Sequence, residues 1–156
     1  MTPLIVAAVR GNAEMLELLL AAGADPDGPG LLGLGTLAAA VLSCAADEEI
    51  VRRLIDAGAD LESGTRAGTT PTMLAFQERR IGIARLLLDA GADAKAVNRF
   101  GDGLLNYAIY MQEPVLIAAV LDRGVGTEQL RKLFTTVEYD PPGIGGTPPH
   151  HAVLCR

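Results

Sequence analysis

One tripeptide recurs along the chain at a nearly constant interval. Gly-Ala-Asp occurs at Gly23–Asp25, Gly58–Asp60 and Gly91–Asp93, and a degenerate copy follows at Gly124–Gly126. The successive glycines are 35, 33 and 33 residues apart. A period in this range indicates stacked supersecondary units, none of which can bury its apolar face alone. We therefore expect an array of repeats rather than one globular core.

The residues before each of these glycines share an apolar pattern. Positions eight, seven, four and three residues upstream are apolar in every copy, which is the spacing of one helix face. The glycine that follows suits the end of a helix, where a positive φ is needed. The apolar residues are Met15, Leu16, Leu19 and Leu20, then Ile50, Val51, Leu54 and Ile55, then Ile83, Ala84, Leu87 and Leu88, and finally Leu116, Ile117, Val120 and Leu121.

A shorter helix is expected ahead of each of these, around an alanine that aligns between copies. The aligned alanines are Ala7, Ala40, Ala75 and Ala108, and the second copy has two extra residues near Ser43–Ala46. Thr-Pro opens the first helix at residues 2–3, 70–71 and 147–148. The second and fourth copies instead have Gly35-Thr36 and Gly103-Leu104. We expect each missing threonine cap to weaken its helix by about 1 kcal/mol.

This pattern resembles the ankyrin repeat, which combines a Thr-Pro-Leu-His-x-Ala helix start, two antiparallel helices and a Gly-Ala-Asp stop. Only His150, in the last copy, matches the histidine of that motif. The resemblance implies an all-α ankyrin-repeat solenoid of helix–turn–helix repeats joined by hairpin loops. The predicted divisions are repeat 1 at 1–27, repeat 2 at 28–64, repeat 3 at 65–97, repeat 4 at 98–126, an inserted helix and loop at 127–146, and a partial repeat 5 at 147–156.

The segment after the fourth copy departs from the period. Leu130, Leu133 and Phe134 have helical spacing within Thr127–Val137, and a Pro/Gly-rich loop, Glu138–Gly146, follows. The insertion either packs on the outer side of the array or acts as a specificity element. Because internal repeats bury faces on both neighbours, the unpaired helices at both ends predict either a piece of a longer ankyrin protein or the product of an open-ended reading frame.

Composition excludes several other classes of protein. The net charge of −6 argues against a nucleic-acid-binding surface, which needs clustered basic residues. Gly28–Ala46 has no charged residue, but its apolar positions keep the register of the repeats, so we predict no membrane span. No basic segment precedes the apolar residues 2–9, so no signal peptide is predicted. We expect a cytoplasmic or nuclear location.

Motifs for catalysis, cofactors and metals are weak. Residues 28–33 formally match GxGxxG, but a helix precedes them where nucleotide binding needs a strand. His151 and Cys155 are one helical turn apart, yet zinc needs three or four ligands. Serine occurs only at Ser43 and Ser63, far in sequence from both histidines. We predict no catalytic, cofactor-binding or metal-binding residues, although a metal site at His150, His151 and Cys155 is an alternative.

The resemblance implies that hairpin tips and first helices line a concave groove that holds other proteins. Phe100, Tyr110 and Met111 beside Arg66 and Arg99 have the composition of an interface hot spot. Alternatively, Phe100 and Tyr110 pack between the hairpins. The predicted partner-binding residues are Arg66, Thr69, Gln77, Glu78, Arg99, Phe100, Asp102, Tyr110 and Met111.

The sequence therefore predicts a protein–protein interaction module whose protein partner is unknown, with no nucleic acid and no membrane as partners. An alternative function is a targeting or regulatory ankyrin segment of a larger multidomain enzyme or signalling protein, in which case the rest of that chain is a partner. A structural spacer without a dedicated partner is a further alternative.

Overall fold

The computed structural model describes residues 2–28, 30 and 33–126. Within these residues the secondary structure is helical, with one isolated β-bridge between Val97 and Gly103. The predicted inserted helix and loop at 127–146 and the partial repeat at 147–156 lie outside the described residues. The helices are α1 (Pro3–Val9), α2 (Ala13–Ala21), α3 (Thr36–Leu42), α4 (Glu48–Asp56), α5 (Pro71–Gln77), α6 (Ile81–Asp89), α7 (Leu104–Tyr110) and α8 (Pro114–Leu121).

The helices form antiparallel pairs that stack into two rows. The short helices α1, α3, α5 and α7 pack against one another in sequence order, and α2, α4, α6 and α8 form the second row. The aligned alanines of the first row, which let neighbouring helices approach closely, are Ala7, Ala40, Ala75 and Ala108, and all four are fully buried. The predicted all-α repeat solenoid is confirmed.

The apolar face of the second helices is buried to different extents along the array. Ile50, Val51 and Leu54 of α4 are almost completely buried, as are the corresponding residues of α6. In α2 only Leu16 is buried, and Met15 is 47% exposed. Helix α4 packs on a second-row helix on each side, α2 and α6, whereas the extensive contacts of α2 in the described residues are with α1 and α4.

The capping differences expected between the copies are present. The Thr2 and Thr70 hydroxyls accept hydrogen bonds from backbone amides three residues ahead, at 3.4 and 3.3 Å. The glycines at the starts of α3 and α7, Gly35 and Gly103, provide no side-chain cap. The α3–α4 connection spans residues 43–47, two more than in the other helix pairs, as predicted.

A ladder of side-chain to backbone hydrogen bonds ties consecutive repeats together after the second helices. Asp27 Oδ1 accepts from the Asp60 amide at 2.9 Å, and Glu62 Oε1 accepts from the Asp93 amide at 2.8 Å. A glycine with the left-handed conformation expected at a helix end precedes these residues, such as Gly58 with φ 86°. Each of the two hydrogen bonds joins one repeat to the next and so helps to fix the relative position of consecutive hairpins.

Candidate functional site

The hairpins at residues 63–69 and 96–102 lie side by side and are joined through their backbones. The third hairpin closes through Thr65 N to Thr69 O at 3.0 Å, and the fourth through Asn98 N to Asp102 O at 2.9 Å. The Arg99 amide donates to Ala67 O at 2.9 Å. The two tips therefore form one continuous surface.

Asn98 organises the fourth hairpin from inside. Its side-chain oxygen accepts from the amides of Phe100 at 2.9 Å and Asp102 at 3.0 Å. Its amide nitrogen donates to the Tyr107 hydroxyl at 3.1 Å. Asn98 is 6% exposed, so these bonds are shielded from competing water. The turn that carries Phe100 is consequently held in place by a buried side chain.

Phe100 projects from this turn into solvent and is 79% exposed. The alternative in which this ring packs between the hairpins does not describe the structure. Helix α7 adds Ile109, which is 38% exposed, and half-buried Tyr110, and half-buried Met111 follows directly after the helix. An exposed aromatic ring on an ordered turn is a preformed contact point for another surface.

The two predicted arginines of the hairpin tips are both exposed. The Arg66 side chain lies along the second hairpin, where a methyl group on Gly33 would come within 3.2 Å of its Nε. In the same way, Arg99 Cγ would lie 3.9 Å from a methyl group on Gly68. Within the described part of the chain, neither guanidinium forms an ion pair.

Two of the predicted residues have structural partners inside the protein. Thr69 is only 8% exposed, and its side chain is hydrogen-bonded with Tyr107. The Asp102 carboxylate accepts from the side-chain amides of Asn98 and Asn106, both at 3.4 Å. The side chain of Thr69 is therefore not available to a partner in this conformation. Asp102 is half-buried, and its carboxylate stabilises the turn that carries Phe100.

Tyr107 links these groups and remains protonated over the whole neutral range. Burial, followed by the nearby charge of Asp102, raises the pKa of Tyr107 to about 12. The hydroxyl oxygen accepts from Asn98, and the bonds with Asn98 and Thr69 offset part of this rise in the pKa. Sequence reasoning did not identify Asn98 or Tyr107, because their role depends on contacts across the turn and with the neighbouring hairpin.

The remaining predicted residues lie where the first helix of the third repeat ends. Gln77 is the last residue of α5, and Glu78 follows at the helix terminus with its amide donating to Leu74 O at 2.9 Å. Both side chains are half-buried. They lie at the end of α5, one repeat before Tyr110 and Met111 at the end of α7, so the two pairs occupy equivalent positions in adjacent repeats.

Other kinds of site find little support in the described residues. No group of three His, Cys, Asp or Glu side chains within them is arranged to hold a metal ion. The alternative metal site at His150, His151 and Cys155 lies outside the part of the chain that the structure describes. No helix described here is long and apolar enough to cross a membrane.

Comparison with known families gives two matches. The model for three copies of ankyrin repeats matches residues 37–129. The model for a single ankyrin repeat matches residues 1–29. A search of curated proteins finds no match to the chain.

Proposed function

Because the chain belongs to the ankyrin-repeat family, we propose that it binds a partner protein through its hairpin tips and first helices, with no catalysis of its own. Ankyrin repeats are generally protein–protein interaction modules. The finer proposal is that binding is centred on the third and fourth repeats.

The exposure of Phe100 is the observation that carries this proposal. A phenylalanine that is 79% exposed leaves most of its apolar surface in water. Burial of such a ring by a partner is favourable, and a ring on an ordered turn loses little backbone entropy on binding. The hydrogen bonds from Asn98 to the Phe100 and Asp102 amides supply that order.

The neighbouring predicted residues then divide into contacts and supports. Arg66 and Arg99 are exposed on the third and fourth hairpins, while Gln77, Glu78, Tyr110 and Met111 contribute partly exposed surface at the ends of α5 and α7. Thr69 and Asp102 support the hairpins through Tyr107 and Asn98. Aromatic residues and arginine are the types that most often dominate binding energy at protein interfaces.

A crosslinking pull-down from the source lysate tests the proposal. We expect a protein captured by the wild-type chain to be lost or reduced about tenfold with Phe100→Ala/Tyr110→Ala, because the apolar anchors are removed. Leu18→Ala is a matched control, since Leu18 is 66% exposed but lies on α2 of the first repeat. Circular dichroism establishes that all three proteins are folded.

The control separates a local effect from a general loss of apolar surface. Capture that is weakened equally by Leu18→Ala and by the double substitution argues against a site centred on Phe100. Equal capture by the wild type and by the double variant removes these aromatic residues as anchors. In that case the 127–146 segment becomes the next candidate.

A further inference from the structure

We propose that the hairpin tips bind an extended, acidic segment of a partner protein that carries an apolar residue next to its carboxylates. This inference rests on the proposed function, and it specifies the chemistry of the partner. Asp or Glu side chains would pair with Arg66 and Arg99, and the apolar residue would pack on Phe100.

The distribution of charge along the chain is the first argument. The chain has 19 acidic and 13 basic residues, but the tip segments at 28–35, 63–69 and 96–102 contain Arg66, Arg99 and one acidic residue, Asp102, whose carboxylate already accepts hydrogen bonds from Asn98 and Asn106. An otherwise acidic protein therefore presents positive charge at the tips. Such segregation steers an acidic segment toward these hairpins and disfavours a basic one.

The availability of the two guanidiniums is the second argument. Within residues 2–28, 30 and 33–126, four ion pairs occupy Arg53, Arg79 and Arg123, and none involves Arg66 or Arg99. Arg66 lies beside Gly33 of the preceding hairpin through its side chain, and Arg99 lies beside Gly68 mainly through its backbone. An exposed arginine without an ion pair can offer its planar fork to a carboxylate in two parallel hydrogen bonds.

The relative position of the tips defines the length of the segment. The Arg99 amide is bonded to Ala67 O at 2.9 Å, so the two arginines belong to backbones in direct contact. An extended peptide advances about 3.3 Å per residue. Two acidic residues within about three positions of each other would therefore reach both guanidiniums, with the apolar residue at the Phe100 end.

Peptide selection on the purified protein tests this chemistry directly. A random peptide library displayed on phage is selected against the full chain, and the enriched peptides are synthesised with a fluorescent label. We expect enrichment of Asp or Glu beside an apolar residue, and a Kd that rises about tenfold when the acidic residues are replaced by their amides. Raised salt should weaken binding, because exposed charge pairs are screened.

Matched charge reversals locate the site. Arg66→Glu/Arg99→Glu should weaken binding of the selected peptide by about tenfold or more. Arg52→Glu/Arg85→Glu changes the net charge equally, but its positions are exposed on α4 and α6. Binding to this control should remain within about twofold of the wild type.

Each other result overturns the inference in a recognisable way. Selected peptides without an acidic bias that still require Phe100 would preserve the proposed function and remove the acidic partner. Equal losses from both charge reversals would indicate a general charge effect. Failure to enrich any acidic sequence, or preferential binding of a single-stranded oligonucleotide through Arg66 and Arg99, would also overturn the acidic segment as the occupant.

Discussion

Two side chains occupy a backbone conformation that favours glycine. Arg79 and Gln112 have φ values of 54° and 53°, in the turn between the helices of the third and fourth repeats. The corresponding residue of the first repeat is Gly11, with φ 67°. A methyl group on Gly11 would lie 2.1 Å from Ala45 O, so glycine is required there by space as well as by conformation. In the later repeats only the conformational cost applies.

Replacing Gln112 by glycine should therefore stabilise the protein. The left-handed conformation costs a residue with a side chain about 1–2 kcal/mol, and glycine removes this cost. Part of the gain in stability is lost again, because glycine also raises the conformational entropy of the unfolded chain. We expect Gln112→Gly to raise the free energy of unfolding by about 0.5–1 kcal/mol, measured by urea denaturation. Gln112 is exposed, so its side chain contributes little packing.

The same substitution within a helix is the control for this prediction. Gln77 is the last residue of α5, where its replacement by glycine should cost about 1 kcal/mol. Opposite signs for Gln112→Gly and Gln77→Gly would identify backbone conformation as the cause. A loss of stability in both variants would contradict the predicted relief of strain at Gln112.

At the scale of the elements, one arginine holds the irregular second repeat to the third. Arg80 is the N-cap residue of α6, and its side chain reaches the end of α3, where it donates to Val41 O at 2.9 Å and Ser43 O at 2.8 Å. It also donates to Ala46 O within the longer α3–α4 loop. A cation at a helix C-terminus satisfies carbonyls that have no partner within the helix.

Removing this arginine should destabilise the array much more than removing its neighbour. Arg80→Met leaves several carbonyls without their charged donor, and we expect a loss of about 2–4 kcal/mol in urea denaturation. Arg79→Met is the matched control, because among the described residues the exposed side chain of Arg79 forms one ion pair, with Glu113. That loss should be below about 1 kcal/mol. Equal losses would mean that Arg80 does not hold the loop.

Local patterns in the sequence were sufficient to predict the helices but not these links. The apolar spacing, the Thr2 and Thr70 caps and the two extra residues near Ser43 are properties of contiguous sequence. The contact from Arg80 to Ser43 spans 37 residues and depends on how two repeats stack. The sequence shows that Gly35 lacks a capping side chain, but it does not show that the position has little space for one. A methyl group on Gly35 would lie 2.7 Å from Ser63 Oγ.

The same distinction applies to the candidate site. Arg66, Arg99 and Phe100 could be placed on hairpin tips because the repeat register assigns those positions. The burial of Thr69 and its hydrogen bond with Tyr107 could not be predicted, because both depend on contacts with the next repeat. Asn98 was missed for a related reason, since an asparagine in a turn is common and its buried partners lie up to nine residues away.

At the scale of the whole molecule, stability should vary along the stack. In a repeat array each unit gains stability mainly from its immediate neighbours. Helix α4 is packed on both α2 and α6, whereas Leu18 and Met15 of α2 are 66% and 47% exposed. Amide hydrogen exchange measures such differences in local opening. We expect slower exchange in α4 than in α2.

Two leucine truncations make this gradient quantitative. Leu54 of α4 is completely buried, so Leu54→Ala should lower the free energy of unfolding by about 2–5 kcal/mol. It should also accelerate amide exchange in α4 and in the adjacent helices α2 and α6. Leu18→Ala removes the same atoms from an exposed position and should change stability by less than about 0.5 kcal/mol. An increase in exchange confined to α4 would contradict stabilisation by neighbouring repeats. Equal protection of α2 and α4 in the wild type would show instead that the described repeats open as one cooperative unit.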